Sequence, residues 1–431
     1  MADALAYDAD SRTPVDPAQA VSGMQIGIVL IGISITLPLM YSAGELARGM
    51  GLRAAIIATL LGALSLSLMS IPAAIVGART RLSSYMIIEH TFGYVGAKFI
   101  NFGFGVFLLG WYAVTAELFG RTLFLAAGEL TTLTLPEWAY TLLSSLIVTV
   151  TTIYGFKAID RLALIAVPFL LLSLGGVVVL SLKQVAFTEL LELPGSGAID
   201  LPTGVSAVIG AAIVGVVLTP DLTRYARTTR DCVVASFVGQ GGGMCIAYIV
   251  GLIPVLVWGE LEPMTYMTLM GFGGLALAVL VFATWTTNVI NLYSTALASR
   301  ASVPLGDYRS VVIAMGVLGT LAAIVGISDQ LIDFLILMGL LVPPIAGIYF
   351  ADFYIFRRQD FSEAHLRERP AIKVNAVLVA LGSGLVSAWL YYAGASVTSI
   401  GALDALLLSM MAYSGVELAI ARSWRRRKQD D

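Results

Sequence analysis

Charge is scarce in this sequence. Only 12% of its 431 residues are charged, against 58% hydrophobic, and mean hydropathy is +0.88. A soluble domain cannot be clothed from that composition. Cysteine is nearly absent, with only Cys232 and Cys245, so no disulfide framework can be read, the plain reading is two buried thiols, and the redox compartment stays open. Histidine is as scarce. His90 and His365 fall in segments expected at or beyond the membrane surface and have no partners at metal-ligand spacing, which argues against a metal centre. No Ser/His/Asp or Cys/His set stands out, which disfavours a membrane enzyme. The run Gly239, Gly241, Gly242, Gly243 lacks the lysine and preceding strand of a phosphate loop, and close helix packing accounts for it better.

What is present is apolar length. Stretches of around 20 residues recur without a charge, the span a helix needs to cross about 30 Å of hydrocarbon. The chain therefore reads as an all-α polytopic membrane protein with twelve transmembrane helices, near 24–45, 51–77, 98–127, 136–155, 161–182, 203–222, 231–258, 267–298, 308–326, 329–356, 371–393 and 398–421. Residues 1–23 lack a cleavage pattern and read as a short disordered cytoplasmic tail rather than a signal peptide, and 422–431 as a basic cytoplasmic tail. With both termini cytoplasmic, only Arg48, Arg53, Arg121 and Lys183 of 25 basic residues fall outside, as the positive-inside rule prefers. The lack of targeting features fits a bacterial inner membrane.

Two spans carry breakers at comparable places: Gly32 to Pro38 in span one and Gly215 to Pro220 in span six. Proline removes a backbone donor and glycine tolerates unwound geometry, so both helices are expected to break inside the bilayer. They stand five spans apart, which makes 24–182 and 203–356 candidate repeats of inverted topology, followed by an accessory pair at 371–421. Such transporters bind substrate and ion at broken helices near the midplane. Span eight, meanwhile, sets Thr284, Thr286, Thr287, Asn288 and Asn291 where hydrocarbon cannot satisfy them. Adjacent threonine hydroxyls suit a hard cation such as sodium, and Asn288 can both give and accept a hydrogen bond, but glue between helices is an equal reading.

Three stretches resemble the nucleobase:cation symporter family of cytosine, purine and hydantoin permeases: Gly77 to Ser84, Leu218 to Arg227, and Trp285 to Tyr293, with a weaker fourth match from Val342 to Asp352. The resemblance implies a LeuT-type 5+5 inverted repeat with two accessory helices. It implies a sodium site made by the carbonyls of Gly32, Ile35 and Ala283 with the hydroxyls of Thr286 and Thr287. It also implies a substrate site in which Trp111 stacks on a heterocycle and Asn288 reads its polar edge. Where cytosine permeases place an aromatic in span one this chain has Thr36, and their span-six aromatic falls near Ala212 to Gly215. Leu108 and Thr115 stand where relatives carry a glutamine, so the pocket reads as a one-sided stack, and a bulkier base, a ureide or an amide is as good a fit as cytosine.

Glu117 is ionisable at membrane depth, which raises a proton site, yet Arg121 one turn on makes an internal ion pair the simpler reading. Asp221, Arg224 and Arg227 read as an inner gate or packing network, and Asp329, Asp333 and Glu45 as outer-side acids. The expectation is a transporter importing a nucleobase or related small nitrogen heterocycle with sodium, needing no cofactor, nucleic acid or obligatory protein partner beyond the lipid bilayer. A proton-coupled importer of a ureide, small amine or amide is the alternative, ahead of an enzyme or a channel.

Overall fold

The computed structural model describes residues 14–130, 135–154, 172–271, 273–302, 306–357, 361 and 370–430. The start of the fifth expected span, the loop residues Lys157 and Arg161, and most of the 357–370 linker lie outside them. Among the described residues every regular element is helical, apart from one isolated bridge between Val21 and Ala226. That follows from the solvent: a single helix satisfies its own backbone, which hydrocarbon will not do. Among the described residues seven helical stretches are long and apolar enough to cross a membrane, alongside several shorter apolar helices.

The helices sort into two groups, each drawing on both halves of the chain. One comprises α1 (Gly23–Ser34), α2 (Leu37–Thr80), α8 (Leu201–Val217), α10 (Thr229–Ala235) and α11 (Gly243–Trp258). The other comprises α4 (Tyr94–Leu130), α5 (Glu137–Tyr154), α13 (Gly273–Ser302) and α14 (Tyr308–Val325), around a core of Tyr112, Ala116, Phe119, Val289, Leu292 and Val312. Short helices α3 (Ser84–Phe92), α7 (Phe187–Glu192), α9 (Pro220–Thr223) and α12 (Pro263–Leu269) link them, with α6 (Leu172–Gln184) alongside. Then come α15 (Leu331–Leu341) and α16 (Pro343–Phe350), and finally α17 (Val374–Tyr392) and α18 (Gly401–Asp430), which pack on α15 and α16.

Several boundaries differ from expectation. The first two spans run together through α2, turned at Gly51, whose φ of 78° is open to glycine at no steric cost. The stretch 267–298 is two helices, because the turn at Gly271 (φ 83°) parts α12 from α13. The basic residues after 421 continue α18 to Asp430, since Ala, Arg and Lys are good helix formers and no Gly or Pro intervenes. Residues 14–22 are not a free tail: Val15 N–H donates to Arg81 O (3.1 Å), and Val21 N–H to Tyr225 O (2.8 Å).

Close approach between helices rests on small residues, the usual means of association in lipid. A Cβ at Gly210 of α8 would sit 1.8 Å from the Leu335 carbonyl oxygen of α15, and one at Gly251 of α11 would sit 2.5 Å from that of Met40. Neither backbone neighbour can step aside. Gly210→Ala and Gly251→Ala are expected to destabilise the protein by about 1–3 kcal/mol each through overpacking. Gly382→Ala, whose Cβ meets open space, serves as control. Melting of the purified variants in detergent checks this, and equal melting of all three proteins counts against the packing.

Candidate functional site

The chain leaves helical geometry for two residues in the middle of its first apolar stretch. Ile35 (φ −90°, ψ 91°) and Thr36 (φ −135°, ψ 152°) are extended between α1 and α2. Pro38 has no N–H to offer the Ser34 carbonyl. Among the described residues no non-helical backbone bond reaches the carbonyls of Gly32, Ile33, Ser34 or Ile35. The Thr36 hydroxyl, half-buried, makes no hydrogen bond there either, and a Cβ at Gly32 would meet no atom within 4 Å. The expected break is thus present, with carbonyl oxygens that no backbone N–H among the described residues reaches.

On α13, Thr286 donates to the carbonyls of Phe282 (3.0 Å) and Ala283 (2.9 Å), which occupies its proton and leaves its lone pairs. The Thr287 hydroxyl, half-buried, has no hydrogen bond among the described residues. Trp285 points elsewhere, its indole N–H donating to Thr151 of α5 (3.2 Å). The five expected cation ligands therefore divide between helix groups, Gly32 and Ile35 on one, Ala283, Thr286 and Thr287 on the other. Among the described residues no hydrogen bond joins the two sets.

Trp111 of α4 is half-buried and meets Phe334 of α15 edge to face, ring centroids 5.9 Å apart at 77°. Gly110 makes room, since a Cβ there would lie 2.6 Å from the Phe334 ring. The site thus gains a second ring that sequence reasoning missed; an apolar residue in an apolar span gives no signal. Ile35 lies in the core cluster against which Trp111, Ala212, Ala283 and Phe334 pack.

Two expected ligand readers are engaged with protein instead. Asn288 is fully buried, and with its amide oriented to satisfy both neighbours Nδ2 donates to Tyr112 O (3.2 Å) while Oδ1 accepts from Ala116 N–H (3.3 Å). It bridges α13 to α4, because at this depth that turn of backbone is the partner within reach. Thr115 donates to Trp111 O (2.7 Å) and accepts from Asn291 Nδ2 (3.4 Å). In this structure both side chains bond helix to helix.

The break in the sixth expected span falls at Leu218 and Thr219, within the Gly215 to Pro220 stretch. Thr219 donates to Gly215 O (2.9 Å), and its oxygen lies 3.3 Å from Ser70, which Ser236 in turn reaches at 3.2 Å. Gly215 is exposed although its flanking residues are buried, and only Gln240 Nε2, at 3.6 Å, comes within 4 Å of where its Cβ would be. Below it, Asp221 accepts from Ser84 N–H (2.8 Å), Arg81 donates to Arg224 O (2.7 Å), and Arg227 to Ala20 O (3.2 Å). These bonds tie α9 and the turn after it to the end of α2, to α3 and to the N-terminal segment.

Glu117 and Arg121 do pair, at 3.3 Å, but within a larger assembly. Arg121 also meets Glu137 and Glu262, both at 2.9 Å, while Glu117 accepts from the Ser328 N–H (2.8 Å) and hydroxyl. Burial pushes the Glu262 carboxyl above its ordinary value, with the facing guanidinium pulling the other way. One arginine so joins α4, α5, the start of α12 and the turn before α15. Among the described residues no group of three His, Cys, Asp or Glu side chains is arranged for a metal.

Comparison with known proteins agrees with this architecture. The family model described as permease for cytosine/purines, uracil, thiamine, allantoin matches residues 23–415. The cytosine permease of Escherichia coli (strain K12) is 25% identical over 373 residues, 86% of this chain and 87% of the relative. The hydantoin permease of Microbacterium maritypicum is 27% identical over 251 residues, 53% of this chain and 51% of the relative. Among solved structures, the inward-facing conformation of Mhp1 superposes with a TM-score of 0.83 at 19% identity, covering 96% of this chain and 94% of that one. A Na+-coupled sialic acid symporter, substrate-bound and outward-open, gives 0.67 at 14% identity, covering 95% and 92%. With an apolar helical architecture and a family match across nearly the whole chain, this is an integral membrane transporter rather than an enzyme, and it belongs to the nucleobase:cation symporter family of permeases.

Proposed function

We propose that the protein imports a nucleobase or a related small nitrogen heterocycle by sodium-coupled alternating access. The observation that carries the reading is the break at Ile35–Thr36, where no backbone hydrogen bond among the described residues reaches the carbonyl oxygens of Gly32 to Ile35. In this reading sodium bridges the helix groups: the Gly32 and Ile35 carbonyls from one side, the Ala283 carbonyl and the Thr286 and Thr287 hydroxyls from the other. Five neutral oxygens suit a singly charged hard cation held reversibly. The ring stacks on Trp111, with Phe334 as an edge-on wall and Thr36 and Gly215 lining the space left where a second stacking aromatic is missing. Binding of both draws the groups together, so each ligand tightens the other. An inward sodium gradient and the membrane potential, worth about 2.3 kcal/mol per charge per 100 mV, then drive uptake.

The same reading takes twelve spans, both termini cytoplasmic in a bacterial inner membrane, residues 24–182 and 203–356 as inverted five-span repeats, and 371–421 as an accessory pair. Support comes from the mixing of both chain halves within each helix group and from the similarity to Mhp1, described as a nucleobase-cation-symport-1 family transporter with bromovinylhydantoin bound in one closed conformation. The rival, proton coupling through Glu117, has a specific point in its favour: three carboxylates share Arg121. Against it, the Glu117 carboxylate is already bonded to Ser328 and Arg121, which fits a latch holding the turn before α15.

Sodium is expected to raise the melting temperature of the heterocycle-bound protein where potassium does not, since a ligand of the folded state stabilises it. Thr287→Ala should weaken sodium's effect roughly tenfold, about one lost ligand, and leave melting in potassium unchanged; sodium dependence surviving in this variant sinks the assigned site. Glu117→Gln should lower the melting temperature yet leave sodium-driven uptake and its pH profile intact in proteoliposomes. Uptake that ignores sodium, and whose pH dependence vanishes in Glu117→Gln, establishes the proton-coupled alternative.

A further inference from the structure

Span seven does not run as a plain α-helix. Between α10 and α11, residues Ser236–Gly242 form a π-helical turn, the kind of bulge that inserts an extra residue, costs hydrogen-bond quality and recurs at functional sites. Gly239 and Gly241, with Gly243 just after the bulge, lie where a side chain would meet a neighbouring helix. A Cβ at Gly239 would lie 2.6 Å from the Leu30 side chain of α1, one at Gly241 2.4 Å from Ser67 Oγ of α2, and one at Gly243 2.7 Å from Ser34 Oγ just before the α1 break. Those three contacts press the bulge against α1 and α2. The one long polar side chain among the glycines, Gln240, is sent the other way, toward α8.

There it is buried to 3% exposure, and its carboxamide makes no hydrogen bond among the described residues. Its Nε2 is the one atom within 4 Å of the Gly215 Cβ position, at 3.6 Å, and Gly215 is the exposed residue on an otherwise buried stretch of α8. Buried amides are almost always paired, so an unpaired one beside open space asks for an external partner. The other amide at this depth expected to meet the substrate, Asn288, is consumed by the α4 backbone. A carboxamide offers a donor and an acceptor side by side. Its complement is a neutral group with the same pair reversed, the N–H next to C=O of a cyclic amide.

We infer that Gln240 reads the cyclic-amide edge of the transported ring, with Gly215 leaving the space for that edge to approach. The inference rests on the proposed heterocycle transport and adds to it the residue that selects the substrate class. Trp111 supplies sequence-tolerant stacking, and Gln240 supplies the discrimination. A site built to pair a polar group rejects the analogue that lacks it, because the protein's own amide is then left unpaired.

The test measures binding of uracil and of hydantoin, each against its N-methylated analogue, by thermal shift titration in sodium. The intact protein should prefer the unmethylated rings. Gln240→Leu should bind them roughly 10- to 100-fold more weakly and lose the preference, whereas Trp111→Ala should weaken every ring and keep it. If Gln240→Leu does not fold, Gly215→Ala takes its place: its added methyl meets only the Gln240 amide, and it should weaken the unmethylated rings selectively. An unchanged affinity and preference in the folded variant overturns the role of Gln240 while heterocycle transport stands. If neither ring nor any other nitrogen heterocycle binds the intact protein, the transport reading falls and this inference goes with it.

Discussion

Hydrocarbon offers no partner to a peptide carbonyl or amide, so each departure from helix within the apolar part of this chain has to be answered by the protein itself or by what it carries. Most departures are answered internally. At the end of α8, Thr219, Ser70 and Ser236 close the gap with hydroxyl contacts, and below it Ser84, Arg81 and Asp221 hold the turn. The break at Ile35–Thr36 is not answered, and in the π-helical bulge it is the Gln240 side chain that finds no hydrogen bond among the described residues. Both lie on the same helix group, and α1 lies against the bulge along Leu30 and Ser34.

The two helix groups are held in register by contacts of different character. Within the group of α4, α5, α13 and α14, polar side chains lock helix to helix: Asn288 on the α4 backbone, Asn291 on Thr115, Trp285 on Thr151. Across groups the described hydrogen bonds thin out, and apolar packing takes over around Trp111, Ala283 and Ile35. A seam greased by apolar contact can slide, whereas one closed by buried polar bonds resists it. At one end of the molecule Arg121 gathers Glu117, Glu137 and Glu262, a charged clasp over elements that otherwise meet through apolar side chains.

Much of this was legible in the chain. Composition alone demanded membrane helices, and Pro38 with Gly32 marked the first break, because proline and glycine act on the backbone whatever surrounds them. The glycine run at 239–243 announced close packing. Helix ends were read less well: Gly51 and Gly271 turn the chain inside apolar stretches that look continuous, since hydropathy is blind to φ.

The sequence by itself determined the class of molecule, the position of the first break and the family, because these depend on local chemistry and on motifs contiguous along the chain. Tertiary structure decided which polar groups are spent and which are free. Asn288 and Gln240 are both amides within apolar spans; one faces an α4 turn that uses both its atoms, the other faces a glycine and open space. Phe334 is one apolar residue among many until Gly110 admits it to Trp111. Satisfaction of a polar group is a property of its neighbours in space, and those neighbours lie tens to hundreds of residues away along the chain.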